Sequence, residues 1–500
     1  MRGRMWRGLA LLLALLPGLA RAEGAPTVRI GAQTLIGVRE PNGTASFRGI
    51  AYARPPVGPL RWRPPEPLPA DGATGTVDAA RFAPVCPQGE GNTRWYRRVA
   101  AAMGADAAVV PGIERISEDC LYLNVWTPQP AQARPLPVLV WIHGGSNENG
   151  YAYEPNYRGD VLAREGVVVV SVAYRLGLLG FFAHPALGAD AGGRQGLQDQ
   201  IAALRWVRAH IAAFGGDPAR VTLVGESAGG IDIAVLATMP GAEKLFARAV
   251  IESGYLAPDG VTTQAEAEAF ARGLFDPAIT AESLRALPWQ ALVALQDEKL
   301  RGRFHTPVAP WPRRSRVPLL IGSNADEYRM YLPADEPGLK AALADELTGL
   351  PAAKAKLVLA LIDRRGGSLT DRVEAVSSGK AFHCPAARMA AATSASGKPV
   401  FAYRFKRVRP GGHGLGAYHG AEIPYVFGTA DAWLPAAPQD EALNRQMQQY
   451  WLNFARTGDP NGPGLPRWPR FQGNPEVLNF GATTAAGKIP TITLCKLLAR

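Results

Sequence analysis

Four cysteines in 500 residues are too few for a disulfide-built scaffold, and none forms a C-x-x-C pair, so zinc-ribbon and dithiol redox chemistry have no ligand set. The seven histidines include no H-E-x-x-H, the spacing that puts two imidazoles on one helix face around zinc. Net charge is +11, yet the basic residues are mostly scattered arginines, without a Lys/Arg block, an aromatic ladder or finger spacing; no nucleic-acid partner is expected. Fixed-period repeats and low-complexity tracts are also missing, which removes solenoids and long linkers. Beyond the N-terminus no apolar run is long enough to span a bilayer: VVVVSVAYRLGLLGFF comes nearest, and Arg175 interrupts it at strand-like length. GHGLG, around His413, lacks the following helix that a dinucleotide loop needs, and no cofactor is expected.

What is present begins with the leader. Arg2, Arg4 and Arg7 precede an apolar core from Leu9 to Leu16, a Pro17-Gly18 break and Ala20-Arg21-Ala22. That is the layout of a cleaved secretory signal over residues 1–22, and it predicts a secreted or periplasmic chain starting near Glu23. In such a compartment Cys86, Cys120, Cys384 and Cys495 can pair, with three connectivities open. The remaining 47% hydrophobic, 19% charged composition suits a large globular core, read as one domain over residues 23–500.

Short apolar runs between Val28 and Ala51 read as hairpins at a sheet edge, and Pro55–Pro69 as loop. LYLNVW, VLVWIHGG, VVVVSVAYR, VTLVGES, ARAVIESG, VPLLIGSN and PVFAYRF read as strands. The β-branched run resembles a strand buried on both faces. QGLQDQIAALRWVRAHIAAFGG carries Leu197, Ile201, Leu204 and Ile211 on one helical stripe, with Gly215 past its end. Alternating strands and helices predict an α/β fold, a mostly parallel sheet flanked by helices. Ala265–Phe275, Leu339–Leu350 and Leu357–Ile362 read as helices around the mouth; Pro258–Arg316 reads as the least regular part.

The sharpest motif is VTLVGESAGG: a strand, then Gly225-Glu226-Ser227-Ala228-Gly229, then a helix. This is a G-x-S-x-G nucleophile elbow, which exposes the Ser227 hydroxyl at a helix N-terminus, where the dipole favours a developing anion. Such a serine needs a base and an orienting carboxylate, in the chain order Ser, acid, His. Asp326 and Glu327 stand beyond the strand VPLLIGSN, and only His383, His413 and His419 follow them. Spacing does not separate His413 from His419. Ala228 offers one backbone donor for an oxyanion, and the turn His143-Gly144-Gly145 the others.

Ordered blocks along nearly the whole chain resemble the type B carboxylesterases, the cholinesterase-like branch of the α/β-hydrolases: FRGIAYARPPVGPLRW, SEDCLYLNVW, VLVWIHGG, VAYRLGLLGFF, VTLVGESAGG, AYHGAEIPYVFG and YWLNFARTGDPN. The resemblance implies an α/β-hydrolase fold and a serine carboxylesterase with Ser227, Glu327 and His419 as its triad, although Tyr328 replaces the glycine of the family's D-E-G. It implies Glu226 as a supporting carboxylate, Gly145 and Ser146 as oxyanion donors beside Ala228, and the pairs Cys86–Cys120 and Cys384–Cys495. Ser146 stands at a glycine position of the relatives and Asn147 at a bulky apolar one, which predicts a more polar pocket wall and a shifted acyl preference. The expected partner is a small-molecule ester. Arg301, Arg303, Arg313, Arg314 and Arg316, crowded before the acid, raise an anionic ester as an option. Two alternatives share these residues: a non-catalytic binding module, and a hydrolase of amides, carbamates or thioesters.

Overall fold

The structure, a computed structural model, describes residues 24–68, 74–128, 134–188, 191–255, 263–299, 314–472, 476–489 and 492–499. In chain order the strands are β1 (Thr27–Ile30), β2 (Gln33–Ile36), β3 (Val38–Arg39), β4 (Ala45–Ala51), β5 (Gly75–Asp78), β6 (Tyr122–Thr127) and β7 (Leu136–Ile142). They continue with β8 (Val168–Val172), β9 (Gly216–Glu226), β10 (Arg248–Glu252), β11 (Leu319–Asn324), β12 (Val400–Phe405), β13 (Glu476–Phe480) and β14 (Thr484–Lys488). β1, β2 and β5 form a small separate sheet. The other eleven form one sheet in the order β14-β13-β12-β11-β10-β9-β7-β8-β6-β4-β3. From β13 through β8 every neighbouring pair runs parallel, and the outer pairs are antiparallel. The expected leader, residues 1–22, lies outside the described residues.

The apolar runs explain the layering. In β7, Val138, Val140 and Ile142 pack into one core while Leu139 and Trp141 enter the other, as the period of two requires. The first core takes Leu197, Leu204 and Val207 from the helix Gln195–His210; the second takes Met447, Tyr450, Trp451 and Phe454 from the helix Pro438–Thr457. Covering both faces in this way is what lets β8 be Val-rich and buried throughout.

The segment expected to be irregular differs. Within it the expected helix runs over Gln264–Arg272, and two further helices follow, Ala281–Ala286 and Trp289–Lys299, the first two of the three capped by Thr263 and Thr280. Ala281–Ala286 is too short and Trp289–Lys299 too weakly amphipathic to be read from the apolar pattern; Ala271, Leu284 and Leu292 pack in a satellite cluster with Trp62, Leu178, Leu179 and Phe182, away from the sheet. Arg301, Arg303 and Arg313 lie outside the described residues. Arg316 stands before β11, at the end of that strand away from Glu327, and donates to Thr238 O at 3.2 Å.

Both disulfides join the expected partners, Cys86 to Cys120 and Cys384 to Cys495. The second fastens the terminal helix Ile492–Leu498, whose Leu494 and Leu498 pack on Val358 and Ile362. Among the described residues no helix is long and apolar enough to cross a membrane.

Candidate active site

β7 and β9 are neighbours, and Ile142 pairs with Gly225, so the turns leaving both strands emerge side by side. β9 ends at Glu226 and a helix begins at Ala228, which leaves one residue to reverse direction. That residue is Ser227, at φ 55° and ψ −124°, a strained state for a non-glycine side chain. Its N–H donates to Glu252 O at 2.9 Å, and its carbonyl accepts from Ile231 N–H at 2.9 Å. The helix lies so close to β7 that a Cβ on Gly229 would stand 2.1 Å from Ile142 O. The glycine two residues past the serine is thus a contact requirement.

His419 lies on the loop between β12 and the helix Ile423–Phe427, and Glu327 follows β11. His419 Nε2 is 2.7 Å from Ser227 Oγ, and its Nδ1 is 2.6 Å from Glu327 Oε2. Glu327 is fully buried, and its other oxygen accepts from Ser253 Oγ and from Asn324 N–H, both at 2.6 Å. Asp326 turns away to accept from Ala417 N–H at 2.8 Å. Tyr328 has φ −92°, so the turn after the acid has no need of glycine. His383 is buried with Nε2 2.8 Å from Asn324 O; burial holds its pKa well below the usual imidazole value. The side chain of His413 lies outside the described residues.

Glu226 Oε1 sits 3.3 Å from His419 Nε2, an ion-pair distance without hydrogen-bond geometry. Burial pushes the Glu226 carboxyl up to about 8, opposed by His419 and reinforced by Glu422 and Glu327. Burial works against a charged His419, but Glu226, Tyr331 and Glu327 outweigh it, and the imidazole stands well above its ordinary value. Glu422, raised by burial to about 7, accepts from Asn324 Nδ2 and lies 3.3 Å from Ser253 Oγ.

The turn after β7 faces the same space. Gly145 has φ 102°, and a Cβ there would stand 2.2 Å from Asn149 O. Ser146 and Asn147 follow at φ 59° and 57°. Gly145, Ser146, Ser227, Glu226 and His419 share a cavity of about 190 Å³, walled by Trp95, Tyr96, Trp141 and Tyr157. Ala228 opens the helix directly behind Ser227. Asn147 departs from expectation. It is buried away from the cavity, because its left-handed backbone turns the side chain inward to Asp232 and Tyr174. It is no part of the pocket wall.

A profile of the carboxylesterase family matches residues 25–493. The chain belongs to the carboxylesterase family. It is similar to the fumonisin B1 esterase of Sphingopyxis macrogoltabida, 34% identical, with 89% of this chain and 84% of that protein covered. It is also similar to the phenmedipham hydrolase of Pseudarthrobacter oxydans, 35% identical over 88% of this chain and 92% of that one. A solved carboxylesterase of Geobacillus stearothermophilus superposes with a TM-score of 0.80 at 30% identity, covering 95% of this chain and all of that one, 100%. This carboxylesterase is a carboxylic ester hydrolase with the α/β-hydrolase fold.

Sequence reasoning missed Ser253 and Glu422. Ser253 sits at φ 49°, one residue past β10, and meets Glu327 only because β10 and β11 are adjacent. Glu422 follows His419 by three residues in AYHGAE, so the motif itself held that signal.

Proposed function

We propose that the enzyme hydrolyses esters by acyl transfer through Ser227. His419 takes the hydroxyl proton as the oxygen attacks the ester carbonyl; Glu327 holds the imidazole's tautomer and offsets its charge. The alcohol leaves with that proton, and a water activated by the same histidine releases the acid. Backbone N–H groups of Gly145, Ser146 and Ala228 stabilise the oxyanion, each worth about 3 kcal/mol. One observation carries this reading: the unbroken chain from Ser227 Oγ (2.7 Å) through His419 to Glu327 (2.6 Å).

Among the described lining residues there is no arginine or lysine, while Glu154 and Glu226 are carboxylates. Together with the aromatic wall, this favours a neutral ester over an anionic one. The relatives place fumonisin B1 and phenmedipham on the substrate panel. A non-catalytic module is disfavoured, since nothing there would need a serine held in strain against a histidine. Export to the periplasm or the medium is supported by the leader's layout and the two disulfides. A single catalytic domain over 23–500 is supported by a sheet whose strands run from Val38 to Lys488.

The test is labelling with a fluorophosphonate followed by peptide mass mapping. The adduct is expected on Ser227 alone, with loss of turnover in step with labelling. Full inactivation without an adduct on Ser227 would overturn the reading.

A further inference from the structure

Ser146 and Asn147 both hold left-handed backbone, a state that strains a residue such as Ser146 and that asparagine tolerates more readily. Surrounding contacts hold the turn in it. The backbone carbonyl of Asn147 accepts from Gly177 N–H at 2.7 Å. Its side chain, 6% exposed, donates through Nδ2 to Asp232 Oδ1 at 3.1 Å, and the Tyr174 hydroxyl lies 3.0 Å from its Oδ1. That hydroxyl is also 2.7 Å from His143 O, at the start of the turn. Asp232 is 2% exposed, and its second oxygen accepts from Gln200 Nε2.

The position of Asp232 gives this network its meaning. It stands on the helix Ala228–Thr238, which opens immediately after the serine, while Asn147 belongs to the turn after β7. The proposed oxyanion donors come from these two elements, Ala228 from the helix and Gly145 and Ser146 from the turn. Asp232 and Asn147 tie the two together, and neither lines the cavity. A buried carboxylate is an expensive way to fill space, since an apolar side chain there would need no partners.

We infer that Asp232 is a positioning residue for the oxyanion hole: through Asn147 it locks the turn that carries the Gly145 and Ser146 N–H groups to the helix that carries the Ala228 N–H. This rests on the serine-esterase reading above. Asp232 touches no substrate; it sets the spacing between donors that do.

The test uses Asp232→Ala, Asp232→Asn, Asn147→Gly and the double variant Asp232→Ala/Asn147→Gly, assayed on 4-nitrophenyl acetate and for affinity toward a boronic acid. Asp232→Ala is expected to lower kcat about 10- to 100-fold with KM within about threefold, and to weaken the boronic acid by a similar factor. Asn147→Gly keeps a residue at ease at positive φ, folds without strain, and decides the matter if Asp232→Ala fails to fold; the same loss of kcat is expected. The double variant is expected to be no worse than either single, as for two groups in one link. Asp232→Asn retains an acceptor for Asn147, and Gln200, whose Oε1 has no partner, can turn its amide to serve the new one. Its activity is expected within about threefold of wild type. Retained kcat in both Asp232→Ala and Asn147→Gly, or losses that multiply in the double variant, would overturn the inference. Loss in Asp232→Asn equal to that in Asp232→Ala would do the same. Fluorophosphonate labelling of wild type separates the two levels. Absence of a Ser227 adduct strikes the parent reading, whereas a normal adduct with unaffected variants strikes this inference alone.

Discussion

Glu226 Oε1 lies 3.3 Å from His419 Nε2, the same nitrogen that stands 2.7 Å from Ser227 Oγ. One ring nitrogen thus faces both the proposed nucleophile and a carboxylate from the preceding residue. In the proposed mechanism the neutral imidazole is the base, so activity on the acid side is expected to rise as His419 loses its proton. Glu226 helps hold that proton on, against the effect of burial. Glu226→Gln is therefore expected to move the acid limb of the kcat/KM profile to lower pH. An unmoved limb would show that Glu226 exerts no electrostatic control over His419.

The turn after β7 gives a steric prediction. Gly145→Ala would set a methyl 2.2 Å from Asn149 O on a backbone at φ 102°. The turn must shift, and with it two proposed donors. Loss of about 10²-fold in kcat is expected, with a stability loss of about 1–3 kcal/mol, read by steady-state kinetics and thermal melting. Wild-type kcat in this variant would remove the turn from the oxyanion account.

Ser146→Gly is the complementary change. Glycine relieves φ 59° but gains freedom in the unfolded chain, so the melting temperature is expected to stay nearly constant. The N–H survives and hydrolysis continues. Removing the hydroxyl from the cavity is expected to alter the ratio of rates across a series of 4-nitrophenyl acyl esters. An identical series would mean the serine side chain does nothing for selectivity.

Buried carboxyls set the pH dependence of stability. Burial raises Glu374 and Asp232 to about 7, above ordinary values of 4.5 and 3.8. A carboxyl raised on folding favours the native state while protonated, and that contribution is lost as pH rises through its folded value. His143, pulled down by burial to about 4, acts in the opposite sense, but only below the ordinary imidazole value of 6.5. Stability is therefore expected to fall as pH rises from about 6.5 through about 7. Glu374→Gln, away from the reacting atoms, is expected to flatten that slope in denaturant titrations. A slope unchanged in Glu374→Gln would contradict this assignment.

Some of this was legible in the residues and some was not. The Val-rich strands and the elbow at Ser227 could be read because local chain chemistry forces them: two-sided burial dictates composition, and a one-residue reversal dictates glycines. The assignment of Glu327 over Asp326, and of His419 over His413, came from resemblance, because spacing holds no record of which loop reaches across β11 and β12. Asn147 was misread since a left-handed backbone sends its side chain inward, a direction that no periodicity encodes. Ser253 gained its role only from strands that are neighbours in space and distant in the chain.

In the proposed mechanism the acyl group passes through Ser227. The most direct measurement is rapid-mix release of 4-nitrophenol from 4-nitrophenyl acetate by wild type and Ser227→Ala. No enzyme-dependent release is expected from the Ser227→Ala variant, which should keep the wild-type melting temperature. Release at the wild-type rate by folded Ser227→Ala enzyme would contradict that mechanism.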